Sequence, residues 1–533
     1  MRFRPIVTIF KKLFFSHINY HWVTLCGAIF LAFYLNDTFN ATFDRLATQA
    51  GFIYLLYCGK IVHIFFLMLG LEILCLRFSI KFVLGFILLL SSVCGFYMDS
   101  LGVVIDEDII QSVIETHTDE AMDMISVGLV SYVLFFGVLP CLLLALLRFK
   151  KQRFIESFAQ KSIILITLGV LIALSYVACG KDIVFVFKKQ KSLASMPNPI
   201  APIRSTILYI QNQVEQDFTP IFVAQDAHLK ADLPPQIVLF FIGESTRSAN
   251  FSLNGYKKLT NPYTSALKVI SFSDFYSCGV ITAISVPCML THYTHKTYTH
   301  RNLSLYTNNI LDIAKDVGYD VWYLGNNGGK CVGGCDRNIE HSILYPSDSL
   351  DGAMLPDVKR IIEKAQKTKQ NTFIIAHGYG SHGASYALRY PPDFEHFNPV
   401  CKQKELSKCS YEEIVNTYDN SILYNDWVLS QMIQMLNNTN MRTMLWYVSD
   451  HGESLGELGQ YMHGGLGYTL APEYQKHIPS IMWFNNQWGD VPTSALNKKD
   501  TQLNHDYIFH TLLHLLGIET KDYDKNLDIL HRN

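Results

Sequence analysis

The chain has 533 residues, with 44 Lys and Arg against 46 Asp and Glu, 49% hydrophobic residues and 17% charged residues, where a globular domain in water carries about 25% charged. The near-neutral balance, with no basic block, argues against a nucleic-acid binder held by phosphate neutralisation. An aromatic content of 13% argues against a disordered chain.

The shortage of charge is concentrated in the first third. Five apolar runs, Leu13–Leu35, Phe52–Leu76, Phe82–Met98, Ile125–Leu147 and Ile163–Cys179, are read as membrane spans, for which about 20 residues each are needed. No comparable run follows Gly180. The expected organisation is a transmembrane domain of five helices over residues 1–180, a membrane-surface linker over 181–235 and a catalytic domain over 236–533. The first run lacks a small-residue cleavage site and four more follow it, so it is read as an uncleaved span.

Arg2, Arg4, Lys11 and Lys12 precede the first span, Arg77 and Lys81 lie between the second and third, and Arg148, Lys150, Lys151, Arg153 and Lys161 lie between the fourth and fifth. The opposite loops carry Arg45 alone. Basic residues stay on the cytoplasmic side. The N-terminus is therefore expected inside a bacterial inner membrane and the large domain in the periplasm. Lys60, within the second run, is expected to snorkel to the external interface.

Six cysteines fall in the spans, where a thiol behaves as a small hydrophobe. The other six form close pairs, Cys278 with Cys288, Cys331 with Cys335 and Cys401 with Cys409. Even pairs in an extracytoplasmic domain read as disulfides. A zinc site at Cys331 and Cys335 is the lesser reading, because the spacing and a second pair are missing. The Pro-rich Met196–Pro202 and the amphipathic Ile203–Val214 fit a segment lying along the membrane surface, or equally an ordinary solvated helix face.

From Gln236 onward, short apolar runs alternate with helical patterns, the mark of an α/β domain with a mostly parallel, buried sheet. The predicted strands are Ile237–Ile242, Val269–Phe275, Asp320–Leu324, Thr372–Ala376 and Thr443–Val448, with helices at Asn308–Val317, Pro356–Lys367 and Glu412–Met435 between them. In such sheets ligands collect beyond the carboxyl ends of the strands. Three strands run directly into Gly243-Glu244-Ser245, into the loop from His377 to His382, and into Ser449-Asp450-His451-Gly452-Glu453. Glu244, Asp450 and His451 are ligand types that zinc accepts. An Asp-His pair on its own is more often a helix cap beside a surface imidazole.

The segment Ser277–Leu290 reads as a turn followed by a helix beginning near Thr282. A hydroxyl there meets unpaired N–H groups that also suit a phosphate, and bound to a metal it could ionise and attack phosphorus. A cap without chemistry is the plainer alternative.

Five stretches carry a resemblance. They are Gly243–Tyr256, Thr282-Ala-Ile-Ser-Val-Pro-Cys-Met289, Gly380-Ser-His-Gly383, Val415-Asn-Thr-Tyr-Asp-Asn420, and Asp450-His-Gly-Glu-Ser-Leu-Gly-Glu457 with His463-Gly464. With the five spans and the cysteine pairs, they make the whole chain resemble the membrane-bound phosphoethanolamine transferases that modify lipid A, including the colistin-resistance enzymes, in the alkaline-phosphatase-like (sulfatase) superfamily.

The resemblance implies a catalytic Zn²⁺ among Glu244, Thr282, Asp450 and His451, with Thr282 as nucleophile. It places His382 and His463 on the substrate phosphate or a second zinc, with Glu453 nearby. The family's disulfide loop carries a lysine inside it. Here Lys330 stands just outside Cys331–Cys335, which puts its contact with substrate in question. The external loop Ser100–Met124 matches a membrane-side loop of the family, and its Glu115 could meet the ethanolammonium or a lipid headgroup, or simply be solvated.

The expected activity is transfer of phosphoethanolamine from phosphatidylethanolamine to lipid A or another lipopolysaccharide group through a phospho-threonine. Such transfer would lower negative surface charge and the binding of polymyxin and other cationic peptides. A monomer at the membrane, without nucleic acid, is expected. The alternatives are a phosphoglycerol transferase or phosphatase of the same superfamily, or a membrane sensor without turnover. A sulfatase fits less well, because Thr282 does not open a Cys/Ser-x-Pro-x-Arg pattern.

Overall fold

The structure is a computed structural model that describes residues 17–115, 121–122, 124–214, 219–346, 348–465, 467–489 and 491–531. Arg2, Arg4, Lys11, Lys12, the first four residues of the first predicted span and Thr116–Glu120 lie outside the described residues. The chain divides into two units, residues 1–110 with 125–210, and residues 111–124 with 211–533.

The first unit is helical: α1 (Tyr20–Tyr34), α2 (Asp37–Gln49), α3 (Leu55–Leu74), α4 (Ile80–Leu101), α5 (Val127–Leu146) and α6 (Phe154–Lys189). Helices α3 to α6 are each long and apolar enough to cross a membrane, and α1 with α2, bent by 67°, adds a fifth span if the pair is counted as one. The bend falls at Leu35-Asn36, where the apolar run gives way to the polar sequence of α2. Leu31, Leu67, Leu71, Ile80 and Leu84 form the shared core of α1, α3 and α4. Phe82, Val127, Phe154 and Val177 on the outer faces are exposed, as surfaces meant for lipid would be.

Two charges inside α3 are paired. Lys60 Nζ lies 2.7 Å from Asp44 Oδ2 of α2, an ion pair between the two helices. Glu72 is fully buried and accepts from His21 Nδ1 at 2.8 Å and from the hydroxyl of Thr24. Helix α6 continues past Gly180 to Lys189, and a further helix, Ile200–Val214, follows the Pro-rich break.

The second unit is built on eight strands: β1 (Gln236–Gly243), β2 (Ile270–Tyr276), β3 (Asp320–Gly325), β4 (His341–Leu344), β5 (Thr372–His377), β6 (Arg442–Ser449), β7 (His477–Phe484) and β8 (Leu503–Asn504). Their order across the sheet is β8-β2-β7-β6-β1-β5-β3-β4. Within this sheet, among the described residues, only β7 runs antiparallel to its two neighbours; the sheet's other pairings are parallel.

Successive side chains of a strand point to opposite faces. Val238, Phe240 and Ile242 of β1 enter one core, together with α7 (Thr282–Leu290), α8 (Ile310–Asp316) and α11 (Ile508–Leu515). Ile237, Leu239 and Phe241 enter the other, beneath α9 (Leu355–Thr368) and α10 (Tyr411–Asn437). Burial on both faces explains why β1 reads as a continuous apolar run instead of an alternating one. All three cysteine pairs are disulfides, and the six cysteines of the first unit are free thiols.

Candidate active site

The sheet register assembles the site. Ile242 of β1 pairs with His377 of β5, and Gly243 pairs with Ser449 of β6. The ladder continues one residue further, with the Asp450 N–H donating to Gly243 O at 2.9 Å and the Gly378 N–H donating to Ile242 O at 3.0 Å. Glu244, Asp450 and the loop from Gly378 to His382 therefore leave the sheet at one level of its carboxyl rim.

Glu244, Asp450 and His451 are fully buried, and each offers a ligand atom within 4.8 Å of the others, close enough to hold one metal ion. Glu244 Oε1 accepts from Ser245 Oγ at 2.8 Å and lies 3.0 Å from His382 Nδ1. Its Oε2 accepts from Asn327 Nδ2 at 2.7 Å and from Thr282 Oγ at 3.1 Å. Asp450 Oδ1 is occupied by the backbone N–H groups of Ser245 at 3.1 Å and His451 at 2.7 Å. Its Oδ2 has no hydrogen-bond partner among the described residues.

His451 Nδ1 is 3.0 Å from Gly452 O, to which it donates. That tautomer leaves Nε2 as a bare lone pair, 3.3 Å from both Glu244 Oε1 and Asp450 Oδ2. An imidazole lone pair facing two buried carboxylates is repulsive unless a proton or a cation sits between them. The electrostatics agree. Burial works against a charged His451, but Asp450 and Glu244 outweigh it and raise the imidazole to about 9. Burial and the Glu244 charge raise Asp450. Burial would raise Glu244 too, but His382 and His451 hold it well below the carboxylate range.

Thr282 opens α7, and residue Ile281 before it is the cap. The threonine hydroxyl is aimed at the rim instead, 3.1 Å from Glu244 Oε2 and 3.3 Å from His451 Nε2. The cap reading of Thr282 is thereby excluded. Cys278–Cys288 closes the turn and helix around it.

His463 Nδ1 lies 3.2 Å from Glu453 Oε2, and its ring centroid is 4.1 Å from that of His451 and 5.5 Å from that of His382. Burial and the neighbouring His451 lower the His463 imidazole. Glu453 Oε1 is buried without a partner among the described residues. Two backbone features bear on the rim: Ser245 sits at φ 55°, a strained conformation for a residue with a side chain, and Gly380 at φ +53° allows its loop to pass so close that a Cβ there would lie 2.5 Å from Glu244 O.

Of the residues singled out from sequence, Glu244, Thr282, Asp450, His451, His382, His463 and Glu453 come together. Lys330 does not join them; it is exposed on the loop that follows β3. The side chain of Glu115 lies outside what the structure describes, while its helix, Glu107–Glu115, is present. Sequence reasoning missed three contributors. Asn327 follows β3, next to β5 in the sheet, and also lies 3.2 Å from His377 Nε2. Asp351 is buried and accepts from the N–H groups of Tyr379 at 2.7 Å and Gly380 at 3.0 Å, bracing the His382 loop. His505, whose imidazole burial pushes down to about 3, is the third. The strand-end rule applied to β3 would have found Asn327; nothing local marks the other two.

Residues 236–518 match the family described as Sulfatase, and residues 63–214 match the family described as Phosphoethanolamine transferase EptA/EptB. Over 462 residues, 83% of this chain and 84% of the relative, the sequence is 32% identical to phosphoethanolamine transferase EptA of Escherichia coli strain K12. The chain belongs to this phosphoethanolamine transferase family. It is also 31% identical over 520 residues to phosphatidylethanolamine transferase Mcr-1 of Escherichia coli, with 92% and 94% of the two chains covered. The fold follows the sequence: the integral membrane lipooligosaccharide phosphoethanolamine transferase A (EptA) of Neisseria meningitidis aligns with a TM-score of 0.90 over 97% of this chain and 99% of that one, at 26% identity. The spanning unit and the α/β unit of a phosphoethanolamine transferase are thus both present, and the rim cluster lies in the part that matches the sulfatase family.

Proposed function

We propose that this transferase moves phosphoethanolamine from phosphatidylethanolamine to lipid A, or to another group of a lipopolysaccharide, through a covalent intermediate on Thr282. The observation that carries the reading is the threonine hydroxyl aimed at Glu244 and His451 from a helix start that does not use it as a cap. The lipooligosaccharide named for the Neisseria relative supports the acceptor class.

Glu244, Asp450, His451 and Thr282 would hold Zn²⁺, since the unpartnered Asp450 Oδ2 and the bare His451 Nε2 complete a set of oxygen and nitrogen donors. Zn²⁺, when bound, supplies a Lewis acid that favours the ionised hydroxyl and offsets charge on a phosphoryl oxygen. Thr282 Oγ forms a bond to phosphorus as the bond from phosphorus to the glycerol oxygen breaks. Diacylglycerol leaves with the proton that Thr282 gave up. In the second half a protonated acceptor oxygen attacks the same phosphorus, the bond from phosphorus to Thr282 Oγ breaks, and the acceptor's proton passes to Thr282.

His382 and His463 stand on the open side of the cradle to hold the non-bridging phosphoryl oxygens. Glu453 fixes Nδ1–H of His463 and so leaves Nε2 to carry the moving proton. A lipid donor and a lipid-linked acceptor explain why the catalytic unit is tethered to spans. The three disulfides confined to the second unit support a periplasmic catalytic unit, and the basic residues of the loops on the opposite side support a cytoplasmic N-terminus.

Mass spectrometry of lipid A from cells carrying the wild-type chain or Thr282→Ala tests the function: phosphoethanolamine additions are expected with the first alone. An unchanged lipid A profile with the wild-type chain would overturn the acceptor. Elemental analysis of purified Asp450→Ala tests the metal, with zinc expected in the wild type and depleted in the variant; equal zinc in both would remove the cradle.

A further inference from the structure

His505 is 1% exposed and sits immediately after the two-residue edge strand β8. Parallel pairing of β8 with the end of β2, Leu503 against Phe275 and Asn504 against Tyr276, carries the imidazole just beyond the sheet, where β2 gives way to the turn leading to Thr282. Both ring nitrogens are engaged there. Nδ1 lies 3.0 Å from the backbone nitrogen of Cys278, and Nε2 lies 3.0 Å from the carbonyl oxygen of Ser449.

These partners dictate the tautomer. The Cys278 N–H can only donate, so Nδ1 must accept; Ser449 O can only accept, so Nε2 must donate. Cys278 opens the disulfide-closed turn before α7, and Ser449 is the last residue of β6, directly before Asp450 and His451. Ser449 is held in turn by its hydroxyl, which donates to His451 O and accepts from the Thr246 N–H, both at 2.9 Å. One neutral ring therefore spans the two pieces of chain whose separation sets the distance from the Thr282 oxygen to the Asp450-His451 pair.

We infer that His505 is a positioning residue for the transfer reaction, acting as a molecular strut between the nucleophile turn and the strand end that carries the cradle. The inference rests on the reading of Thr282 as nucleophile. It places no contact between His505 and substrate, so its removal should slow attack without weakening donor binding. Displacements of about 1 Å cost on the order of 100-fold in such a step.

The test uses the full-length protein in detergent micelles, with phosphatidylethanolamine as donor, lipid A as acceptor and diacylglycerol release as the readout, for the wild type, His505→Phe, His505→Asn, His505→Gln and Thr282→Ala. His505→Phe, which loses both bonds, is expected to lower kcat about 100-fold with KM within about threefold. His505→Asn places an amide oxygen near the Nδ1 position and can keep the Cys278 bond, so it is expected to recover to within about tenfold of the wild type. His505→Gln, which reaches Ser449 but not Cys278, should fall between the two. If His505→Phe does not accumulate folded, the order wild type, Asn, Gln carries the test alone.

Equal kcat in the wild type and the Asn and Gln variants, equal loss in all His505 variants, or a loss confined to KM would each overturn the strut. The Thr282→Ala control separates the two readings. Full activity in that variant ends the nucleophile assignment, whereas its loss alongside wild-type rates for the His505 variants ends only the role of His505.

Discussion

Each unit of this transferase buries a glutamate against a histidine, and the two pairs are finished differently. In the spanning unit both oxygens of Glu72 are matched, by His21 Nδ1 at 2.8 and 3.0 Å and by the Thr24 hydroxyl. At the rim of the sheet Glu244 meets His451 Nε2 at 3.3 Å while Asp450 Oδ2 is left without a partner. The Glu72 carboxylate is closed and ties α1 to α3, although His21 Nε2 on the other side of the ring is buried without a partner among the described residues. The unfinished pair has room for a cation and a reacting oxygen. The contrast separates charge buried for architecture from charge buried for chemistry, and it can be broken by experiments that cross the two sites.

The largest effect is expected at the open site. Thr282→Ala should lower diacylglycerol release by about 10⁴-fold or more, the scale of nucleophile removal, while the thermal midpoint of the purified protein stays within a few degrees. Glu72→Ala should do the reverse. Removing one member of a buried pair costs about 3–5 kcal/mol, so its midpoint in detergent should fall steeply while turnover per folded molecule is retained. If Glu72→Ala were stable and inactive, Glu72 would belong with the chemistry and the contrast would collapse.

A third expectation concerns pH. The folded-state value of His505, about 3, lies below the ordinary 6.5, so between those values the unfolded chain binds the proton that the folded one refuses. The stability contributed by the neutral ring is complete above about pH 6.5 and is lost progressively as pH falls toward 3. Thermal midpoints measured at pH 7, 5.5 and 4 should drop more steeply for the wild type than for His505→Asn; parallel slopes would show that the ring is not held neutral. The smallest effect is expected for Gly380→Ala, where positive φ and a Cβ placed against Glu244 O should cost about 1–3 kcal/mol and loosen His382. It is read as a modest fall in midpoint with a larger fall in turnover.

Much of this was legible in the sequence because β1, β5 and β6 are apolar without interruption and end on the polar residues they deliver. β7 was not, because Pro479 stands third in His477–Phe484. The strand accommodates it at an irregularity between Ile478 and Ser480, the kind of place where a sheet tolerates a missing N–H. β4 and β8 are short edges with too few residues to carry a pattern. Glu244, Asp450 and His451 could be found from chain order alone. Asp351 and His505 could not, since each acts on backbone groups brought near by the fold, from 28 and 227 residues away. The bend between α1 and α2 escaped a reading based on apolar length because Leu13–Leu35 looks long enough to cross a membrane by itself.

The central claim is that the Thr282 oxygen takes the phosphoethanolamine group. Tandem mass spectrometry of the Thr282 peptide, after the full-length enzyme is incubated with phosphatidylethanolamine and quenched in acid without acceptor, tests it directly. A phosphoethanolamine increment on Thr282 is predicted, absent from Thr282→Ala. Diacylglycerol release with an unmodified Thr282, or with the group on another residue, would contradict it.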